Sequence, residues 1–293
     1  MMRRLFVLFS FELKKILARK KAVLFLLALN VVPILASIAA MLAYLKMRSL
    51  GLGSLEYSAL VEMVQALFTA HMKLFAWISP FFLALVVGDS ISGEAGRGHL
   101  KTLLLTPVSR AQVVFAKAAA ILVFLLIAVA LGGLFLQIDL WVAHSMSQSG
   151  AIIMDARETG AVLADSTVMA RLLTISFMAN LAMVGYFVLT ALFFETPILM
   201  AFVSLIILMT MQTYVMMVPY LAKLDDSYAR WLPWCFTRHL SELTELKTIY
   251  GVLKQSMTLT SAEIWGPLMG SLGWAAAFFA VALVVFRRRQ ILS

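Results

Sequence analysis

The stretch GDSISGEAGRGHLKTLLLTPVSRAQVVFAK, Gly88 to Lys117, gathers glycines, acids and bases in an otherwise apolar chain. A phosphate cradle is the first chemistry to test there. A P-loop needs two glycines flanking four residues, followed at once by lysine and then serine or threonine, because the lysine must reach phosphates held by the loop amides. Gly88 and Gly93 have that spacing, but Glu94 follows. Gly93 and Gly98 have it too, but His99 follows. No glycine in the chain precedes a lysine, so no nucleotide site of this kind is present.

Other reactive side chains are dispersed. His71, His99, His144 and His239 show none of the spacing that zinc ligands need. Cys235 is the single cysteine, which excludes an internal disulfide and favours a free thiol over an intermolecular bond. Met209, Met211, Met216 and Met217 cluster, and thioethers do bind Cu(I). Adaptable helix packing accounts for them more simply. No segment sets a serine in a nucleophile elbow. What remains between Gly88 and Lys117 is a short amphipathic piece, His99 to Thr106, with Leu100, Leu103 and Leu104 on one side and Pro107 as its stop. Asp89 and Glu94 precede it; Arg110 and Lys117 follow. Such a piece can be braced by its flanking charges, Glu94 and Arg110 holding its angle, while its leucines face a soluble partner.

The elements that position this segment follow from composition. The chain has 293 residues, 62% of them hydrophobic and 13% charged. A soluble domain carries roughly 45–50% apolar and about 25% charged residues. Lipid is the alternative sink, and its lack of water demands helices or a closed barrel. Long unbroken apolar runs favour helices over the alternating strands of a barrel. The runs predict an all-α integral membrane protein, a single domain over 1–293, with six spans at 22–45, 67–87, 118–138, 172–194, 197–220 and 264–286. Residues 88–117 form a loop between the second and third spans. Ser37-Ile38-Ala39 resembles a signal-peptide cleavage site, but the long basic region before it and the apolar run beyond it predict a retained anchor.

Charge orients the spans. With the N-terminus inside, the inner segments hold Arg3, Arg4, Lys14, Lys15, Arg19, Lys20, Lys21, Arg97, Lys101, Arg110, Lys117, Arg287, Arg288 and Arg289. Against them stand only Glu12, Asp89, Glu94 and Glu195, whereas the outer segments are slightly acidic. The net charge of +9 therefore reads as positive-inside topology, with both termini cytoplasmic, and not as nucleic-acid binding. Residues 1–21 form an amphipathic interfacial helix, with Phe6, Phe9, Leu13, Ile16 and Leu17 on one face. Glu12, Lys15 and Arg19 fall on the other, toward anionic lipid. Residues 222–263 form an outer amphipathic segment. Trp231, Trp234 and Phe236 are placed there at headgroup level, and Leu240, Leu243, Leu246 and Ile249 recur at helical spacing. Gly266, Gly270 and Gly273 let the sixth span pack closely against a neighbour, within the chain or in a second copy.

The order Asp89, Glu94, Gly98, Leu100, Leu103-Leu104, Pro107, Arg110, Lys117 resembles the signature of type-2 ABC exporter permeases, E…GTL…LL…P-[IV]-S-R…K after an aspartate at the inner end of the second helix. His99 departs from it, replacing the usual threonine. The resemblance extends to the basic N-terminal helix, the six-span layout, the segment before the last span and the final Phe286-Arg287-Arg288-Arg289. It covers most of the chain and is nearest to the subgroup that includes the permease for nitrous-oxide-reductase maturation. It implies a six-span half-transporter in the cell (inner) membrane, dimeric as a homodimer or with a related permease. Separate cytoplasmic ATPase chains would carry ATP and Mg, leaving no cofactor, metal or catalytic residue here. Leu100 to Val108 would be the coupling helix, and Glu195-Thr196-Pro197 a smaller second contact. Asp89, Glu94, Gly98, Leu100, Leu103, Leu104, Pro107, Arg110 and Glu195 are then the coupling residues. The competing reading is a membrane scaffold or mechanotransmitter that uses the same ATPase coupling on an outer partner. A secondary transporter would usually show ionisable residues or broken helices near midplane, and these spans are mostly free of such charges, His71 and Lys73 lying toward one end of the second.

Overall fold

The computed structural model describes residues 2–49, 78–98, 109–148, 166–223, 225–243 and 261–288. Among them every regular element is helical. Helix α1, Met2–Leu17, is followed after a two-residue break by α2, Lys20–Ser49. The break is bridged by backbone bonds from Arg19 N to Ile16 O and from Ala22 N to Arg19 O. Helix α3 spans Ile78–Gly96, with an irregular residue at Ile91. Then come α4, Arg110–Gln148, α5, Ser166–Ala191, and α6, Pro197–Leu221. A 3-10 segment, Asp226–Trp234, and a short helix α7, Thr237–Leu243, precede α8, Ala262–Arg288.

Five of these segments are long and apolar enough to cross a membrane: Ile78–Gly96, Arg110–Phe135, Ala170–Ala191, Pro197–Leu221 and Ala262–Arg288. Helix α2 covers the first expected span, 22–45, over 30 residues. The 3-10 segment and α7 fall within the outer segment expected at 222–263. Boundaries differ most around the second and third spans. Helix α3 does not stop at Val87 but runs to Gly96, and α4 begins at Arg110 and not at Ala118. Both ends of the expected loop 88–117 are thus helical, while 67–77 and 99–108 lie outside the described residues. The reason is local chemistry. Ser109 and Gln112 form a reciprocal capping box: the Ser109 amide donates to Gln112 Oε1 at 2.8 Å, and the Gln112 amide donates to Ser109 Oγ at 3.3 Å. That box starts the helix well before the charge-free run.

Helices α5 and α6 form the tight hairpin expected from Glu195-Thr196. The last turn of α5 tightens through Leu192 N to Leu189 O, and Pro197 enters α6 at its first turn, where its missing N–H costs nothing. Helix α5 is the most enclosed, packed by α4, α6, α7 and α8. Phe25 of α2 meets Phe82 of α3 and Phe124 of α4, each at 5.4 Å between ring centres. Tyr186, Phe236, Trp274 and Phe278 build a second aromatic cluster. Phe236 is therefore buried, unlike Trp231 and Trp234, which are both 68% exposed. Leu240 and Leu243 are buried on α7, and Leu246 and Ile249 lie outside the described residues.

Candidate functional site: a buried charge knot

Glu12, Lys15 and Arg19 recur at i, i+3 and i+7 and so share one helical face. The sequence reading turned that face toward lipid headgroups. The structure turns its acid inward: Glu12 is 1% exposed and Ile16 of the apolar face is buried as well, while Phe6, Val7 and Phe11 lie open. Charges on the facing helices explain why the polar face is drawn in. Lys117 of α4 is fully buried, and its ammonium donates to Glu12 Oε2 at 2.9 Å, Glu94 Oε2 at 2.5 Å and the Ser90 carbonyl at 3.0 Å. These three bonds use all of its donors. Glu94 Oε1 takes Lys15 Nζ at 2.5 Å and Arg19 Nη2 at 3.2 Å. Lys15 also reaches Glu12 Oε2 at 3.3 Å. An ammonium at an apolar helix interface costs several kcal/mol of desolvation unless paired and hydrogen-bonded. The knot meets that requirement by joining α1, α3 and α4. Outside it, Lys21 pairs with Asp89 at 2.9 Å in a more exposed position, where a pair is worth about 0–1 kcal/mol.

The glycines that mimicked a phosphate cradle serve packing. A Cβ on Gly96 would stand 2.5 Å from the Glu195 carbonyl oxygen, one on Gly93 2.9 Å from Pro197 Cγ, and one on Gly88 3.1 Å from the Pro197 carbonyl oxygen. Ser92 Oγ adds a hydrogen bond of 2.9 Å to the Ala191 carbonyl. The end of α3 is thereby seated on the α5–α6 turn, leaving Glu195 and Thr196 exposed. Gly98 then ends α3 with φ +74, and its amide donates to the Ala95 carbonyl at 3.1 Å. Left-handed glycines commonly close helices in this way.

The expected coupling residues Asp89, Glu94, Gly98, Arg110 and Glu195 are therefore described, whereas Leu100, Leu103, Leu104 and Pro107 lie outside the described residues. Glu94 joins Lys15 and Arg19, which the sequence reading had assigned to the interface. Arg110 Nη1 donates to the Arg287 carbonyl at 3.3 Å at the end of α8. Phe9 and Leu13 are half-buried against the core. Glu12 was missed as a site residue, although it is the single acid in the basic 1–21 stretch. Lys117 had a signal as well: a lysine inside the apolar run from Val113 onward demands a partner.

Of the three glycines on the last span, Gly270 alone is crowded among its described neighbours. Its missing side chain accommodates the His239 ring of α7. Gly266 and Gly273 have no described residue within 4 Å of an added Cβ. A close helix approach that the sequence reading did not single out occurs at Gly185 of α5, where a Cβ would lie 3.1 Å from the Ala275 carbonyl oxygen of α8. Among the described residues no three His, Cys, Asp or Glu side chains gather as metal ligands.

Residues 7–291 match the family described as ABC-2 family transporter protein. The chain belongs to that family. No curated protein matches it closely enough to add a second comparison. ABC-2 proteins are the non-catalytic membrane components of ABC transporters, and membership implies an ABC ATPase as partner. Together with its apolar helices, this makes the ABC-2 protein described here a multi-pass membrane permease.

Proposed function

We propose that this permease is one half of the membrane domain of an ATP-driven ABC exporter, coupled to separate cytoplasmic ATPase chains through residues 99–108. The match to the ABC-2 family over 7–291 carries the reading. The charge knot supports it physically. Residues 99–108 follow the Gly98 stop in the chain and precede the Ser109 capping box. The helices on either side, α3 and α4, are tied to each other and to α1 by Glu94 and Lys117. A push on the segment is then delivered to three helices at once rather than absorbed by a slack loop. The exposed Glu195-Thr196 turn, packed on Gly96, lies beside the end of α3 and serves as the second contact. In this reading both termini face the cytoplasm of the inner membrane, α2 completes six spans, and Leu100, Leu103 and Leu104 seat in the ATPase.

Two permease chains form the pathway. Among the described residues nothing stands within 4 Å of a Cβ added at Gly266 or Gly273, which supports this face of α8 as the seat of the second copy. The kinship with the nitrous-oxide-reductase maturation subgroup belongs to this reading too. An alternative, a mechanotransmitter acting on an outer partner, is favoured by the exposed Trp231 and Trp234 on the segment packed against α6. Purification of the tagged permease from its own membranes tests the assignment. Two permease chains with two copies of an ATP-hydrolysing subunit are expected in the native mass spectrum, and a permease free of any nucleotide-binding chain would overturn it.

A further inference from the structure

Leu221 ends α6, and the chain turns back so that the 3-10 segment Asp226–Trp234 lies along that helix. Tyr214 is two turns from the end of α6, about 10 Å at 1.5 Å per residue, and its hydroxyl donates to the Tyr228 carbonyl. Between helix and segment is a hollow of about 560 Å³ lined by Tyr214, Ser227, Tyr228, Arg230, Trp231 and Trp234. Arg230 is the charged residue in that lining and is exposed. The nearby Asp225 carboxylate accepts from the Ser227 amide at 2.8 Å through one of its two oxygens.

Three features point to one occupant. Indole and phenol rings at the end of a membrane-spanning helix match the headgroup level, where one face is apolar and the other wet. A guanidinium there offers a planar fork that suits two phosphate oxygens. Toward the membrane centre, Ile207 and Thr210 continue the stripe of Tyr214 along α6, with Ile206 and Ile207 exposed. The Thr210 hydroxyl is already used on the Ile206 carbonyl at 2.8 Å, so the stripe presents an apolar surface. A polar, cationic mouth above an apolar track fits a molecule with a phosphate at one end and hydrocarbon at the other.

We infer that this hollow seats one membrane phospholipid. Its phosphodiester is held by Arg230, its glycerol ester region lies against Trp231 and Trp234, and an acyl chain follows Ile207 down α6. The inference rests on α6 crossing the membrane. The topology proposed above decides only that the lipid belongs to the outer leaflet.

Native mass spectrometry of the delipidated full-length permease tests this, with phosphatidylglycerol added at increasing concentration. The wild type should retain one molecule per chain. Arg230→Gln should weaken that retention at least about tenfold, the smallest loss expected when a charge-assisted contact to the phosphate is removed. Arg230→Lys should recover part of it. Diacylglycerol with the same acyl chains, which lacks the phosphate, should not be retained. Equal retention by wild type and Arg230→Gln would overturn the inference, as would equal retention of diacylglycerol. Displacement by glycerol phosphate as effective as by the whole lipid would show a site for a soluble phosphate compound instead. Arg230 is exposed, so its replacement leaves the fold intact, and an unchanged elution profile verifies this. The permease is assayed alone, so the result is independent of ATPase coupling.

Discussion

Lys117→Met tests the knot most sharply. Methionine has nearly the length and volume of the lysine stem, so the packing of α4 against α1 is kept while the ammonium is lost. The two carboxylates it joined do not suffer equally. Glu94 retains Lys15 at 2.5 Å and Arg19 at 3.2 Å. Glu12, 1% exposed, retains only Lys15 at 3.3 Å among its ion pairs in the described residues. Removing one partner of a buried pair costs about 3–5 kcal/mol, because the other charge stays buried and uncompensated. Most of that cost should fall on Glu12. Glu12→Gln introduced into Lys117→Met removes the stranded charge and should restore about 2 kcal/mol as coupling between contacting residues. The assay is thermal unfolding in detergent, paired with trypsin cleavage at Lys14 and Lys20 to follow release of α1. The single variant should melt earlier and expose α1, and the double variant should recover on both measures. An unchanged melting temperature in Lys117→Met, or strictly additive effects in the cycle, would refute the reasoning.

Two further outcomes follow from named contacts. A methyl group at Gly270 would overlap the His239 ring, so Gly270→Ala should cost about 1–3 kcal/mol through overpacking, and His239→Ala in the same chain should relieve it; equal melting of Gly270→Ala and wild type would count against this contact. For topology, Arg97→Cys in a Cys235→Ser background should react with membrane-impermeant maleimide only after the cells are opened, whereas Asp225→Cys should react in intact cells. Labelling of position 97 in intact cells would invert the assignment.

The helices were legible because lipid-facing apolar runs leave a long, continuous signal, as at Pro197–Leu221, where helix and expected span nearly coincide. Helix ends were not, where capping chemistry outweighed hydropathy. Ser109 and Gln112 carried a readable capping signature, but it lay outside the apolar run and was overlooked. Glu94, Lys15 and Arg19 were singled out, Glu12 and Lys117 were not, and the direction of the polar face was misread. A basic amphipathic helix has the same pattern whether its polar face meets lipid or a buried Glu94 and Lys117, and only the tertiary partners decide. Gly88 and Gly93 carry a similar ambiguity, because close approach to a phosphate and close approach to Pro197 both require the missing side chain.

Coupling to an ATPase through the segment between α3 and α4 is the central claim, and Leu103→Asp with Leu104→Asp addresses it directly. A short amphipathic segment, as the sequence leads one to expect there, cannot bury its own apolar side, and a fully buried leucine contributes about 1.5–3 kcal/mol at a partner groove. Charging both positions should abolish the seat while leaving the flanking knot and membrane insertion intact. Tagged wild-type and variant permease are purified from the same membranes, and co-purifying vanadate-sensitive ATP hydrolysis is measured per mole of permease. The account predicts hydrolysis with the wild type and its loss from a normally inserted variant; full retention of the ATPase and its activity by the variant would contradict it.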